Sequence, residues 1–230
     1  MSKTTTGTIP VYLEIGQKKT FAGAIDWPGW GRSGRDETAA LQALFDYGPR
    51  YAPVAKRAGL KFTAPQSVDA FHVVERLPGD SATDYGVPGA FPTADQEPLD
   101  ADGLTRFGSI LAACWATFDA LAAAAAGMEL RKGPRGGGRD LEKITDHVLG
   151  AEQGYLGRLA WKVAKDEAAN LNEEMRLTRQ AIMDALAAAE RGEIPERGPR
   201  GGKIWPARYF VRRVAWHVLD HAWEIEDRAN

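Results

Sequence analysis

The spacing of the apolar residues changes period near residue 80, and that change points to an α+β chain built in two parts. Ahead of it the pattern alternates. From Ile9 to Ile15, Val11, Leu13 and Ile15 point one way and Tyr12 and Glu14 the other, which is the period of a strand. Gly16-Gln17-Lys18-Lys19 reads as a turn and Thr20 to Ile25 as a second strand, so the pair forms a hairpin. Asp26 to Gly34 carries Pro28, Gly29, Gly31 and Gly34, which predicts irregular structure. Asp36 is placed as an N-cap with Glu37 in the first turn, and Ala40, Leu41, Leu44 and Phe45 line one helical face. Phe71 to Leu77 reads as a further strand. The expectation for residues 1–78 is a small β-β-α-β domain.

Residues 79–100 are rich in proline and glycine and read as a linker or a loop draped over the surface. Beyond them every apolar series has helical spacing. Leu104, Phe107, Leu111, Cys114, Phe118 and Leu121 advance in steps of three and four. A second helix runs from Arg139 to about Ala164 through Leu141, Ile144, Val148, Ala151 and Tyr155. A third, from about Ala168 to Glu190, turns Leu171, Met175, Thr178, Ile182 and Leu186 inward. The fourth opens at Pro206, a favoured first-turn position, and continues to the C-terminus. Helices of this length are rods of ~30–39 Å, which suits an all-α four-helix bundle over residues 101–230. Gly133-Pro134-Arg135-Gly136-Gly137 recurs as Gly198-Pro199-Arg200-Gly201-Gly202, each copy just before a histidine-bearing helix. The pair is either two cationic loops or the flank of a shared anion-attracting site.

Composition narrows the classes. With 29 Lys+Arg against 31 Asp+Glu the formal charge is −2, and no basic stripe carries interleaved aromatics, so no nucleic-acid partner is expected. A single cysteine excludes a disulfide framework and fits a reducing compartment. The first residues show no apolar core behind Lys3, so no signal peptide is read, and Leu121 to Gly127 is too short to span a bilayer. The expectation is a soluble cytoplasmic protein without a membrane partner.

Three of the four histidines fall on inward helical faces. His217 and His221 are four apart, stacked one turn from each other among Phe210, Val214 and Ile225. His147 lies beside Ile144 and Ala151 on the second helix, while His72, in a strand, reads as structural. Burying three imidazoles without a shared partner costs ~1–3 kcal/mol for each unsatisfied group, and a common cation removes that cost. The set therefore reads as a nitrogen cage for a divalent metal ion, the alternative being a core of hydrogen-bonded histidines.

His147 on helix 2, followed by His217-Val218-Leu219-Asp220-His221 on the last helix, resembles the DinB/YfiT-like metalloprotein family over residues 100–230. The resemblance implies a metal held by His147, His217 and His221, zinc or nickel first, with open positions for water or substrate. It further implies a thiol-dependent transferase or isomerase, using a low-molecular-weight thiol such as mycothiol, bacillithiol or glutathione, or else a hydrolase. Glu224, on the face of His217 and His221, is a candidate general base, a fourth ligand or a rim ion pair. Arg208, Arg212 and Arg213 are either cofactor-binding cations, Arg208 and Arg212 foremost, or a solvated face. Asp146 and Asp220 point away from their histidine neighbours; Tyr155 either lines the pocket or packs in the core, and Cys114 reads as a small buried residue.

In the first domain, Ala24-Ile25-Asp26-Trp27-Pro28-Gly29-Trp30 and Ser33-Gly34-Arg35-Asp36-Glu37-Thr38-Ala39-Ala40-Leu41 resemble the HicB-like fold. The likeness implies an interaction or dimerisation module, with Trp27 and Trp30 either packing between domains or acting as a lid over the metal pocket. Two functions stay open at this stage: a metal-dependent enzyme acting on a small molecule, or a non-catalytic metal-binding regulatory module; a homodimer suits either.

Overall fold

The computed structural model describes residues 8–132, 138–163, 170–199 and 201–229. The chain is α+β and divides into two compact units, Met1–Gln96 and Glu97–Asn230.

The first unit holds a four-stranded sheet in the order β3-β2-β1-β4. Strands β1 (Ile9–Ile15) and β2 (Thr20–Ala24) form the expected antiparallel hairpin, and β4 (Phe71–Pro78) runs parallel to β1 with a register irregularity between Val11 and Tyr12. The stretch expected to be irregular contains a strand, β3 (Gly31–Gly34), paired to β2. Its glycines disguised it, and they are required by close approach. A Cβ on Gly31 would sit 2.5 Å from the Phe21 ring, and one on Gly34 would sit 2.3 Å from the Ala40 backbone nitrogen. Helix α1 (Glu37–Asp46) starts where Asp36 accepts the Ala39 N–H at 2.8 Å, as its cap position predicts. A second helix, α2 (Gly48–Arg57), was hidden by Pro49 and Pro53; Pro49 lies in the first turn, where its missing N–H costs nothing.

Trp30 is buried in this unit's own core, which corrects for that residue the expectation of a lid or interdomain packing. Trp30 donates its indole N–H to the Leu44 carbonyl at 2.8 Å and packs with Tyr51, Phe62 and Phe71. The Trp27 ring lies 4.8 Å from that of Phe62. Most of the segment read as linker also belongs here. A short helix, α3 (Ser81–Tyr85), is closed by an Asp80 capping box, and Asp84 accepts the backbone N–H groups of Lys18 and Lys19 in the hairpin turn. Buried Glu14 accepts from Thr83 Oγ1 at 3.3 Å and from Gly89 N–H at 2.8 Å. These bonds tie polar loop residues to the sheet, so the composition that suggested a linker instead forms a cover.

The second unit contains α4 (Ala101–Ala124), α5 (Leu141–Leu156), α6 (Leu171–Glu190) and α7 (Ala207–Ala229). Helix α4 packs on α7 and α6, and α5 packs on α6 and α7, which closes a ring of four helices around one core. Asp100, Asp140 and Asn170 cap α4, α5 and α6 by accepting the N–H three residues on. Helix α5 is shorter than its pattern. It stops at Leu156, winds one 3₁₀ turn over Gly157–Leu159, and Ala160 takes a left-handed conformation at φ 55°. The first glycine-proline repeat (133–137), Arg200 of the second, and the start placed for the third helix lie outside the described residues.

By length and composition alone α4 is long and apolar enough to cross a membrane, which the short Leu121 to Gly127 stretch did not signal. Here Phe107, Ile110, Leu111, Cys114 and Phe118 on α4 are buried in the helical core.

Candidate metal centre

Helix α5 contributes His147, and α7 contributes His217 and His221 from successive turns. One ligand nitrogen from each lies within 4.8 Å of the others. His217 Nε2 and His147 Nε2 are 3.2 Å apart, close to the ~3.3 Å separating two nitrogens bound tetrahedrally to one ion at 2.0–2.1 Å. The ring centroids are 4.6 to 5.0 Å apart, and the His221 ring stands steeply to both others. His217 and His221 are buried at 6% and 9% exposure, and His147 is half-buried.

The protonation pattern suits a cation. Burial, reinforced by the charges of His221 and His147, drives the His217 pKa down to about 2. Burial also lowers His147, helped by His221 and Arg139. Both rings are therefore neutral at neutral pH, with lone pairs available to a metal. Glu224 Oε2 lies 2.8 Å from His221 Nδ1, so the Nδ1 position carries the proton and Nε2 is left as the ligand atom. The same carboxylate accepts Arg228 Nη1 at 2.7 Å; the His221 hydrogen bond first, then Arg228, hold its pKa low. Arg228 is fixed in turn by the carbonyls of Arg131 and Arg139, each at 2.7 Å. A chain of contacts thus runs from the α4–α5 connection to the His221 ring. His217 differs: its buried Nδ1 has no hydrogen-bond partner among the described residues.

Of the other residues singled out in the sequence, Glu224 meets His221 with one oxygen and Arg228 with the other. Arg208 is engaged by the Pro98 carbonyl at 3.1 Å and by Asp100 at 3.6 Å, with its guanidinium over Phe107. Arg212 is buried at 4% exposure. Tyr155 does reach the centre, its ring 5.6 Å from that of His217 and nearly perpendicular to it. Cys114 is fully buried, and burial followed by the Glu152 charge raises its pKa, which suppresses the thiolate. Asp146 is exposed and His72 is an exposed residue of β4. Sequence reasoning missed the Arg228 anchor and the placement of Arg213, although the spacing His221, Glu224, Arg228 is the i, i+3, i+7 signal of one helical face.

A separate cleft of about 500 Å³ lies on α4 and α6, lined by Trp115, Asp119, Met175 and Arg179 among others; no histidine of the cluster lines it. Compared with known proteins, the chain matches no family model, no curated protein and no solved structure.

Proposed function

We propose that this chain is a divalent-metal-dependent enzyme of the DinB-like kind, acting on a small molecule at His147, His217 and His221. One observation carries the proposal: three imidazole nitrogens from two helices converge within 4.8 Å, and Glu224 orients one of them. A divalent ion held there supplies a Lewis acid that lowers the pKa of a bound thiol or water to near neutrality. The protein's own groups do the rest. Burial keeps His217 and His147 deprotonated, the Glu224–Arg228 pair locks the His221 tautomer, and Tyr155 walls the cluster beside His217. Three neutral ligands leave the charge of the ion uncompensated, which favours an anionic nucleophile. Thiol transfer, isomerisation and hydrolysis all use that chemistry, and zinc and nickel are the ions of first choice for an all-imidazole set. A cytoplasmic setting fits a thiol substrate.

We read the first unit as a HicB-like interaction module, on the support of its hairpin, capped helix and returning parallel strand. A second function, metal binding without catalysis, draws on the low exposure of His217 and His221. The two part on whether the bound ion accepts an external ligand.

Elemental mass spectrometry of the untagged protein, beside a His217→Ala/His221→Ala variant, tests the centre. About one ion per parent chain and almost none in the variant is the expected result. Negligible metal in both after incubation with zinc and nickel refutes it.

A further inference from the structure

Arg213 sits four residues before His217 on α7, hence on the same face and about 6 Å away along the axis. Unlike Arg208, which is tied to the start of α4, Arg213 keeps a donor in reserve. Its Nη1 is buried and has no hydrogen-bond partner among the described residues. The guanidinium lies 5.2 Å from the centre of the Tyr155 ring and 5.1 Å from that of Trp216. Tyr155 connects this cation to the centre, its ring 5.6 Å from His217 on one side and 5.5 Å from half-buried Trp205 on the other. Trp205 in turn packs against Tyr209 at 5.0 Å. The result is an aromatic wall with an under-used guanidinium beside the metal ligands.

The charges agree. Among the charges that act on His217, those of Arg213 and Arg139 are permanent and both are positive. Glu224, the nearby acid, is already shared between His221 and Arg228. The Arg213 and Arg139 guanidinium groups bias the His217 side towards an anion. An unpaired guanidinium N–H in such a place selects an oxyanion, because a charge-assisted hydrogen bond satisfies both the charge and the empty donor. One available N–H on one half-buried arginine matches a single negative charge, a carboxylate, better than a dianion.

We propose that Arg213, flanked by Tyr155 and Trp205, binds the carboxylate of a ligand whose other end is held by the metal centre. The proposal rests on the metal-site function given above. The guanidinium and the His217 ring both lie against Tyr155, 5.2 and 5.6 Å from the centre of its ring, so one small molecule reaches both. The substrate class is thus a short carboxylic acid bearing a metal-binding group, and the carboxylate orients it while the metal end reacts.

The test uses two hydroxamates on the metal-loaded full chain: succinic monohydroxamate, which carries a carboxylate, and butyrohydroxamate, which carries a methyl group there. Both are titrated calorimetrically against the parent, Arg213→Met and Arg213→Lys, with the metal content of each protein measured in parallel. The expected result is binding of the carboxylate probe about tenfold tighter than the neutral one in the parent. That ratio collapses to about one in Arg213→Met and is partly kept in Arg213→Lys, at unchanged metal content. Equal affinities in the parent, or a preference that survives Arg213→Met, overturn the carboxylate subsite while leaving the metal centre standing. A parent chain that takes up no metal overturns the metal-site function and the subsite with it.

Discussion

Glu152 offers the sharpest test of the helical core. It lies on α5 with no exposed surface; one oxygen accepts the Trp115 indole N–H at 2.5 Å and the other has no partner among the described residues. Burial raises its pKa from 4.5 to about 7, with Arg179 and the Trp115 hydrogen bond opposing part of that rise. A folded pKa above the unfolded one means that the native state holds more protons between the two values. The stability contribution is therefore complete below about pH 4.5 and is lost as pH rises through 7. Between about pH 5 and about pH 8.5 the difference amounts to roughly 2–3 kcal/mol. His147 and His217 work in the opposite sense, since their lowered pKa values make stability fall as pH drops below the usual histidine range. Comparison with Glu152→Gln isolates the carboxyl, because both histidine contributions cancel in the difference. Urea denaturation of the metal-free proteins, followed by far-ultraviolet circular dichroism, should show the variant gaining roughly 2–3 kcal/mol on the parent as pH rises across that range. Parallel stability curves for the two proteins would refute a neutral, buried Glu152.

Removing the carboxylate that orients His221, in Glu224→Ala, should weaken metal affinity about 10–100-fold by chelator competition while the helical content is kept. An unchanged affinity would remove Glu224 from the centre. Leu111→Ala empties a fully buried position of α4 and should cost about 2–5 kcal/mol in chemical denaturation. Gly34→Ala places a methyl group 2.3 Å from the Ala40 backbone nitrogen and should destabilise the first unit by about 1–3 kcal/mol, read as earlier loss of Trp30 fluorescence in urea.

Local chemistry was legible in the sequence. The β1–β2 hairpin, the Asp36 cap and the inward series of α4 to α7 follow from side-chain period and from caps acting within a few residues, so no distant contact was needed. The histidines could be placed on faces for the same reason: His217 and His221 share a turn whatever surrounds them. What period cannot supply is the neighbour across a gap. Strand β3 and helix α2 stayed hidden because glycine and proline carry unfavourable local propensities that tertiary contacts overrode, the Phe21 ring at Gly31 being one. Trp30 reads from sequence as a lid or as packing between domains, but Leu44, Tyr51 and Phe62 surround it within its own unit. The same holds at the centre. Sequence spacing determined that three imidazoles face inward, but only the packing of α5 on α7 brings His147 to 3.2 Å from His217. Which of the arginines of α7 is engaged and which keeps a free donor is likewise decided by partners up to 110 positions away in the chain, as between Arg208 and Pro98, because hydrogen bonds depend on distance in space and not along the sequence.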